Sequence, residues 1–291
     1  MVAALGVPVT LCGSFGGETG TVIRRLVERE RVTVRGVNVS DPNATYIHDR
    51  RSGERQVIAE MAPRPLSRHD LDELYGTTLV AGLTARVCVL GGPSRDDVVP
   101  ADTYRRLTAD LRANGTLVVA DLVGEPLDAA IAGGADVVKV SDEQLVRDQR
   151  TASAEQGDLI AAMAALRRAG AGTVVISRAG RPALAAWEDT IVTIATPQVE
   201  ALDARGAGDS MTAGIAAALA TGEELEAALR TGAAAGSVNV TRRGLATGRR
   251  DDIVEMRDHV ELRAVARSTS REARPPTVTT LDELTDKARP A

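Results

Sequence analysis

The sequence predicts an α/β fold: a central, mostly parallel sheet with helices on both faces and a small antiparallel strand region. Three observations carry this. Between residues 86 and 177 short apolar runs alternate with helix-length segments, a pattern that forces right-handed crossovers between parallel strands. The chain is 44% hydrophobic but only 2% aromatic, so its core is Ala, Val, Leu and Ile, which suits helices on a parallel sheet better than a β-sandwich. Finally, an apolar strand pattern at 191–195 leads into Asp203-Ala-Arg-Gly-Ala-Gly-Asp-Ser210 and then a long helix-compatible run to Leu219.

In chain order, residues 2–6 read as the last turn of a helix stopped by Gly6, 7–12 as a strand and 13–20 as a glycine-rich loop. Val22, Ile23, Leu26 and Val27 mark one face of a short helix. A chain opening on a helix end suggests material upstream. Residues 32–39, 44–48 and 56–60 alternate in polarity and read as antiparallel strands with a hairpin turn at 49–54; His48 reads as a strand-face residue. Ser67 with Asp70 resembles a cap opening a short helix. Strands are expected at 86–90, 116–121, 136–140 and 173–177, and helices at 101–113, 126–132, 142–149 and 154–169, with Asn114-Gly115 stopping the first. Ligands in such sheets bind beyond the C-terminal strand ends, which here carry Gly91-Gly92, Asp121, Lys139 and Ser177. Helices follow at 223–235, continuing through 237–241, and near 251–257. From residue 268 the composition shifts to Ser, Thr, Pro and charge, so residues 1–267 read as one domain and 268–291 as a disordered tail with a transient helical turn near 281–287.

A net charge of −5 with no basic block argues against nucleic acid. No stretch of 18 apolar residues exists, and the N-terminus lacks the charged region of a signal peptide. Cys12 and Cys88 sit in apolar runs without metal spacing and read as buried thiols in a reducing compartment. The expected setting is the cytoplasm, with no membrane contact. Basic residues are nearly all Arg; Lys occurs only at 139 and 287.

The glycines of 206–208 let the backbone turn tightly, and the following helix start aims its N–H groups and dipole at one point, making an anion site. Asp209 stands in the mouth of that site. A carboxylate there repels the ligand unless it does chemistry, and general-base work on a hydroxyl beside a transferring phosphoryl group is such chemistry. The plainer reading makes Asp209 a helix N-terminal charge contributing roughly 0.3–1 kcal/mol. Neither other nucleotide motif fits: Met211 stands where a dinucleotide fingerprint needs its third glycine, and no glycine precedes a lysine.

Asp203, Gly206, Ala207, Gly208 and Asp209 fill five positions of the pattern Asp-Thr-x-Gly-Ala-Gly-Asp, with Ala204 for Thr. The stretch therefore resembles the second signature of the ribokinase/phosphofructokinase-B (PfkB) carbohydrate kinases, within a diffuse resemblance over about residues 2–266. Sequence 13–20 looks like a loop of the sugar-phosphate kinases, and 234–242 like an adenine-side helix. The 1-phosphofructokinase and tagatose-6-phosphate kinase branch looks nearest. The resemblance implies a ribokinase-like three-layer α/β/α fold and ATP- and Mg²⁺-dependent phosphorylation of a sugar or sugar-phosphate hydroxyl, with a homodimer possible. Asp209 would be the base, and the amides of Gly206, Ala207, Gly208 and Asp209 the anion hole. Lys139, Ser177 and Gly180 would line the nucleotide, with Asn239 near the adenine. Asp203, Arg205 and Ser94 would face the substrate, and Glu143 would act indirectly on the metal.

The sequence also departs from the family. Its first strand, lid strands and first glycine-rich signature would precede residue 1. The motif Lys-Pro-Asn-x-x-Glu becomes Lys139-Val-Ser-Asp-Glu-Gln144. No arginine follows Thr45, and a Ser-Gly-Ser-Leu-Pro-Pro-Gly loop becomes residues 91–97. A second reading of another class is thus a non-catalytic relative that binds nucleotide or sugar phosphate and regulates; a nucleoside or small-alcohol kinase is a further alternative.

Overall fold

The computed structural model describes residues 1–49, 51, 56–92, 95 and 97–265. Ser94, most of the expected hairpin turn and the 268–291 tail lie outside the described residues.

After a helical turn at residues 1–6, closed by Leu5 N donating to Met1 O at 3.0 Å, the chain forms β1 (Thr10–Gly16), α1 (Gly17–Arg29) and β2 (Thr33–Val39). The stretch 13–20 is therefore no loop: the strand runs to Gly16 and the helix starts at the next residue. Nor does 33–39 join the antiparallel region. It pairs parallel to β1, from Thr10↔Thr33 to Gly16↔Val39, because the helix between them makes the connection a crossover rather than a hairpin. Antiparallel pairing is confined there to β3 (Thr45–Asp49) and β4 (Gln56–Met61). The expected apolar face of α1 forms but is not covered: Val22 and Leu26 are each more than half exposed.

Next come α2 (Arg68–Gly82), β5 (Val87–Gly91), α3 (Ala101–Ala113), β6 (Leu117–Asp121), α4 (Gly124–Ala132), β7 (Val137–Ser141), α5 (Asp142–Arg147), α6 (Gln156–Arg168) and β8 (Thr173–Ser177). Ser67 caps α2, its Oγ accepting from Asp70 N at 3.2 Å. Then follow β9 (Ala183–Trp187), β10 (Thr190–Ala195), α7 (Ala207–Thr221), α8 (Leu225–Val240), α9 (Arg250–Asp258) and β11 (Glu261–Ala264). The two helices expected across 223–241 are one, α8.

The large sheet runs β11-β10-β9-β8-β7-β6-β5. Strands β5 to β8 are parallel, and β9 and β11 run opposite to them. Alternate strand residues feed two cores. Val118, Val138, Val174 and Ile176 pack with Leu111, Ile131, Leu159 and Met163 on one face. Val119, Val137, Val175 and Ile194 pack with Ile215, Leu229 and Val238 on the other. This is the three-layer arrangement, and α7 lies on the second face. Helices α7 and α8 approach so closely that a Cβ on Gly214 would meet Gly232 Cα at 2.8 Å. Among the described residues no helix is long and apolar enough to cross a membrane.

Candidate active site

The glycine turn is built by the segment before it and the helix behind it. Leu202 N and Asp203 N both donate to Val240 O, at 2.8 and 3.1 Å, pinning the loop to the end of α8. Asp203 Oδ1 accepts Arg205 N at 3.2 Å and Arg205 Nε at 2.8 Å, and an ion pair to Arg205 Nη2 closes the loop on itself. The Arg205 guanidinium is held above its usual value, chiefly by that bond, with burial opposing it and the Tyr46 phenol adding a smaller contribution.

Asn239 is wholly buried. Its Nδ2 donates to Arg205 O at 2.6 Å and its Oδ1 accepts Ala246 N at 2.8 Å. Its amide is thus engaged by backbone, tying the glycine loop to residues 243–247. Gly206 sits at φ +72°, and a Cβ there would approach Leu245 Cδ2 at 3.2 Å. The first intrahelical bond of α7 is Ser210 N to Gly206 O at 2.8 Å. Among the described residues no acceptor takes the amides of Gly208 or Asp209, so these N–H groups and the helix dipole converge on one open spot. The exposed Asp209 carboxylate borders that spot, and none of the described residues pairs with it.

Beneath the turn lie the strand ends. Period-two alternation puts Asp121, Lys139 and Ser177 on the same sheet face as Val119, Val137 and Val175, the face that carries α7. Lys139 is only 4% exposed. Its Nζ lies 3.2 Å from Asp121 Oδ2, and a Cβ on Gly208 would sit 2.5 Å from that Nζ. The ammonium therefore lies against the glycine turn, and Gly208 is glycine because the lysine head occupies the space. Thr212 Oγ1, one helical turn later, donates to Asp121 Oδ2 at 2.7 Å. Asp121 was visible in the sequence only as a strand end, and nothing marked Thr212, whose partner is 91 residues away.

Ser177 ends β8 opposite Ser141, its Oγ donating to Val140 O at 3.4 Å. Gly180, at φ +65°, has open space where a Cβ would be. Lys139 and Ser177 thus lie at the ends of the adjacent strands β7 and β8, and Gly180 in the turn after β8.

Glu143 is exposed in the first turn of α5. The flanking Ser141 and Gln144 form a reciprocal cap, with Gln144 N to Ser141 Oγ at 3.1 Å and Ser141 N to Gln144 Oε1 at 2.7 Å. These two side chains serve the helix start. Among the described residues no group of three or more His, Cys, Asp or Glu is arranged to hold a metal ion.

Residues 1–252 match the pfkB family of carbohydrate kinases. The chain is 27% identical over 255 residues to the ATP-dependent 6-phosphofructokinase isozyme 2 of Escherichia coli, covering 86% of this chain and 82% of that protein. It is also similar to the crystal structure of Escherichia coli phosphofructokinase-2 in complex with fructose-6-phosphate, at 26% identity and a TM-score of 0.74 over 88% of this chain and 83% of that one. A possible 1-phosphofructokinase from Thermotoga maritima shares the fold, at 18% identity and a TM-score of 0.76 over 91% and 85%. With residues 1–252 matching that family and the second signature at the start of α7 on a three-layer sheet, the chain belongs to the pfkB family of carbohydrate kinases.

Proposed function

We propose that the chain is a phosphofructokinase-like kinase that moves the γ-phosphoryl group of ATP to a hydroxyl of a fructose phosphate or closely related sugar phosphate, with Asp209 as the general base. The observation that carries the proposal is the open Asp209 carboxylate beside two unengaged amides at the start of α7, with a buried ammonium below.

Phosphoryl transfer passes through a loose transition state, so placement and charge neutralisation dominate. The amides of Gly208 and Asp209 receive the equatorial phosphoryl oxygens, and Lys139 contributes positive charge from below. Asp209 accepts the hydroxyl proton as the O–P bond forms and ADP leaves. A Mg²⁺ ion bound with the nucleotide would supply further charge neutralisation at the phosphates. Ser177 and Gly180 lie where the rest of the nucleotide would run. Asp203 and Arg205, paired with one another, shape the loop.

The β3–β4 hairpin supports a homodimer. Tyr46, Ile47, Val57 and Ile58 all lie more than half exposed on its two faces, and a second copy laid against it would cover them.

The test is ATP consumption by the purified chain with fructose 6-phosphate, fructose 1-phosphate, tagatose 6-phosphate and the free sugars. Turnover of at least one phosphorylated sugar, well above the free sugars, is expected. ATP binding without turnover of any of them would make the chain a non-catalytic relative.

A further inference from the structure

We propose that Thr212 and Asp121 form a clamp that fixes the Lys139 ammonium against the glycine turn, making both of them positioning residues for phosphoryl transfer. The inference rests on the kinase reading for its catalytic consequence, but the clamp itself can be tested without catalysis.

Asp121 ends β6, Lys139 lies near the end of β7, and Thr212 belongs to the second turn of α7. Three elements distant in sequence therefore meet at one carboxylate. Asp121 Oδ2 accepts the Thr212 hydroxyl at 2.7 Å and the Lys139 ammonium at 3.2 Å. Asp121 Oδ1 lies 3.4 Å from the same ammonium. Thr212 Oγ1 is also 3.2 Å from Gly208 O, so one hydroxyl touches both the carboxylate holding the lysine and the glycine whose missing Cβ makes room for it.

A lysine is a compact charge on a flexible four-carbon stem, and that charge works on a phosphate only if held in place. Thr212, 3% exposed, has its hydroxyl in a packed interior, where polar groups take hydrogen-bond partners. The bond to Asp121 satisfies that hydroxyl and orients the carboxylate. The sheet and α7 are thereby joined through a polar contact directly below the reacting phosphate, with the valine–isoleucine core of that face beside it.

The chain has only two lysines, Lys139 and Lys287, so amine-directed labelling read by peptide mass spectrometry reports Lys139 with Lys287 as the internal reference. Thr212→Val keeps the shape and removes the hydroxyl; Thr212→Ser keeps the hydroxyl and removes the methyl. In Thr212→Val the Lys139/Lys287 labelling ratio should rise several-fold over wild type, while Thr212→Ser should match wild type. In the kinase assay Thr212→Val should lose about 10- to 100-fold in kcat, the scale of a small misplacement of a reacting group. Its KM values should stay within about twofold and Thr212→Ser should be rescued; loss of packing alone would instead hit Thr212→Ser through its missing methyl. Unchanged labelling in Thr212→Val overturns the clamp. Changed labelling with unchanged kcat overturns its catalytic role. If wild type phosphorylates no sugar, the kinase reading falls, and the labelling ratio still decides the clamp.

Discussion

The second face of the large sheet and the β3–β4 hairpin are built to opposite rules. Behind the glycine turn, Ile215, Leu229 and Ala234 are wholly buried, and helices α7 and α8 approach to glycine-limited distance. On the hairpin, large apolar side chains of both faces stand in solvent. The first region holds a shape by itself and so can fix amides, an ammonium and a carboxylate relative to one another. The second gains little from its own burial and acquires a defined position only against something else: a substrate, the rest of the fold or another copy. The contrast is thus between a densely buried face that carries the glycine turn and a hairpin whose apolar side chains stand uncovered.

If that contrast is right, mutations should separate the two regions sharply. The largest effect belongs to the buried face. Ile215→Ala removes a fully enclosed side chain and should cost about 2–5 kcal/mol of stability, read as a lowered urea midpoint. Next is Cys88, whose thiol is pushed up to about 12 from 9.0 by burial first and by Cys12 second. A raised value in the folded state means its contribution is complete below about pH 9 and is lost as pH climbs toward about 12. Roughly 2 kcal/mol should vanish over ~1.5 pH units above that lower limit, and Cys88→Ala should flatten this decline in unfolding measurements. Gly206→Ala forces a Cβ into a left-handed turn at φ +72° against Leu245. It should cost about 1–2 kcal/mol and weaken phosphate-loop function along with stability. Smallest is Ile58→Ser on the hairpin, within about 0.5 kcal/mol for the monomer. The same substitution should lower the mass in solution if a second copy covers the hairpin. A multi-kcal/mol loss in the monomer would erase the contrast.

What could be read in the sequence follows the same division. The glycine turn, α7 and the strands β6, β7 and β8 are encoded locally, by apolar runs and their stops, so they were legible. The strand β9, Ala183–Trp187, was not: Ala-Leu-Ala-Ala-Trp carries little strand preference and becomes a strand through pairing to β8 and β10. The start of α1 was hidden because Gly13 to Gly20 looks like a loop when glycine is judged by local preference alone. At the site, Asp209 and residues 206–208 were legible as a motif. Asn239 was visible as a residue, but its amide partners were not, since both are backbone groups in other loops. The departure at Ser141 and Gln144 gained its physical meaning only when the pair was seen capping α5. Asp121 was visible only as a strand end, and its link to Thr212 stayed hidden because a contact across 91 residues leaves no local pattern.

The central claim is that Asp209 takes the proton of the accepting hydroxyl, and one measurement addresses it directly: phosphoryl transfer from ATP to the best sugar phosphate by wild type and Asp209→Asn, alongside ATP affinity and melting temperature. The account predicts a rate loss of about 10²–10⁴-fold with ATP binding and melting close to wild type. An Asp209→Asn enzyme that keeps the wild-type rate would contradict it.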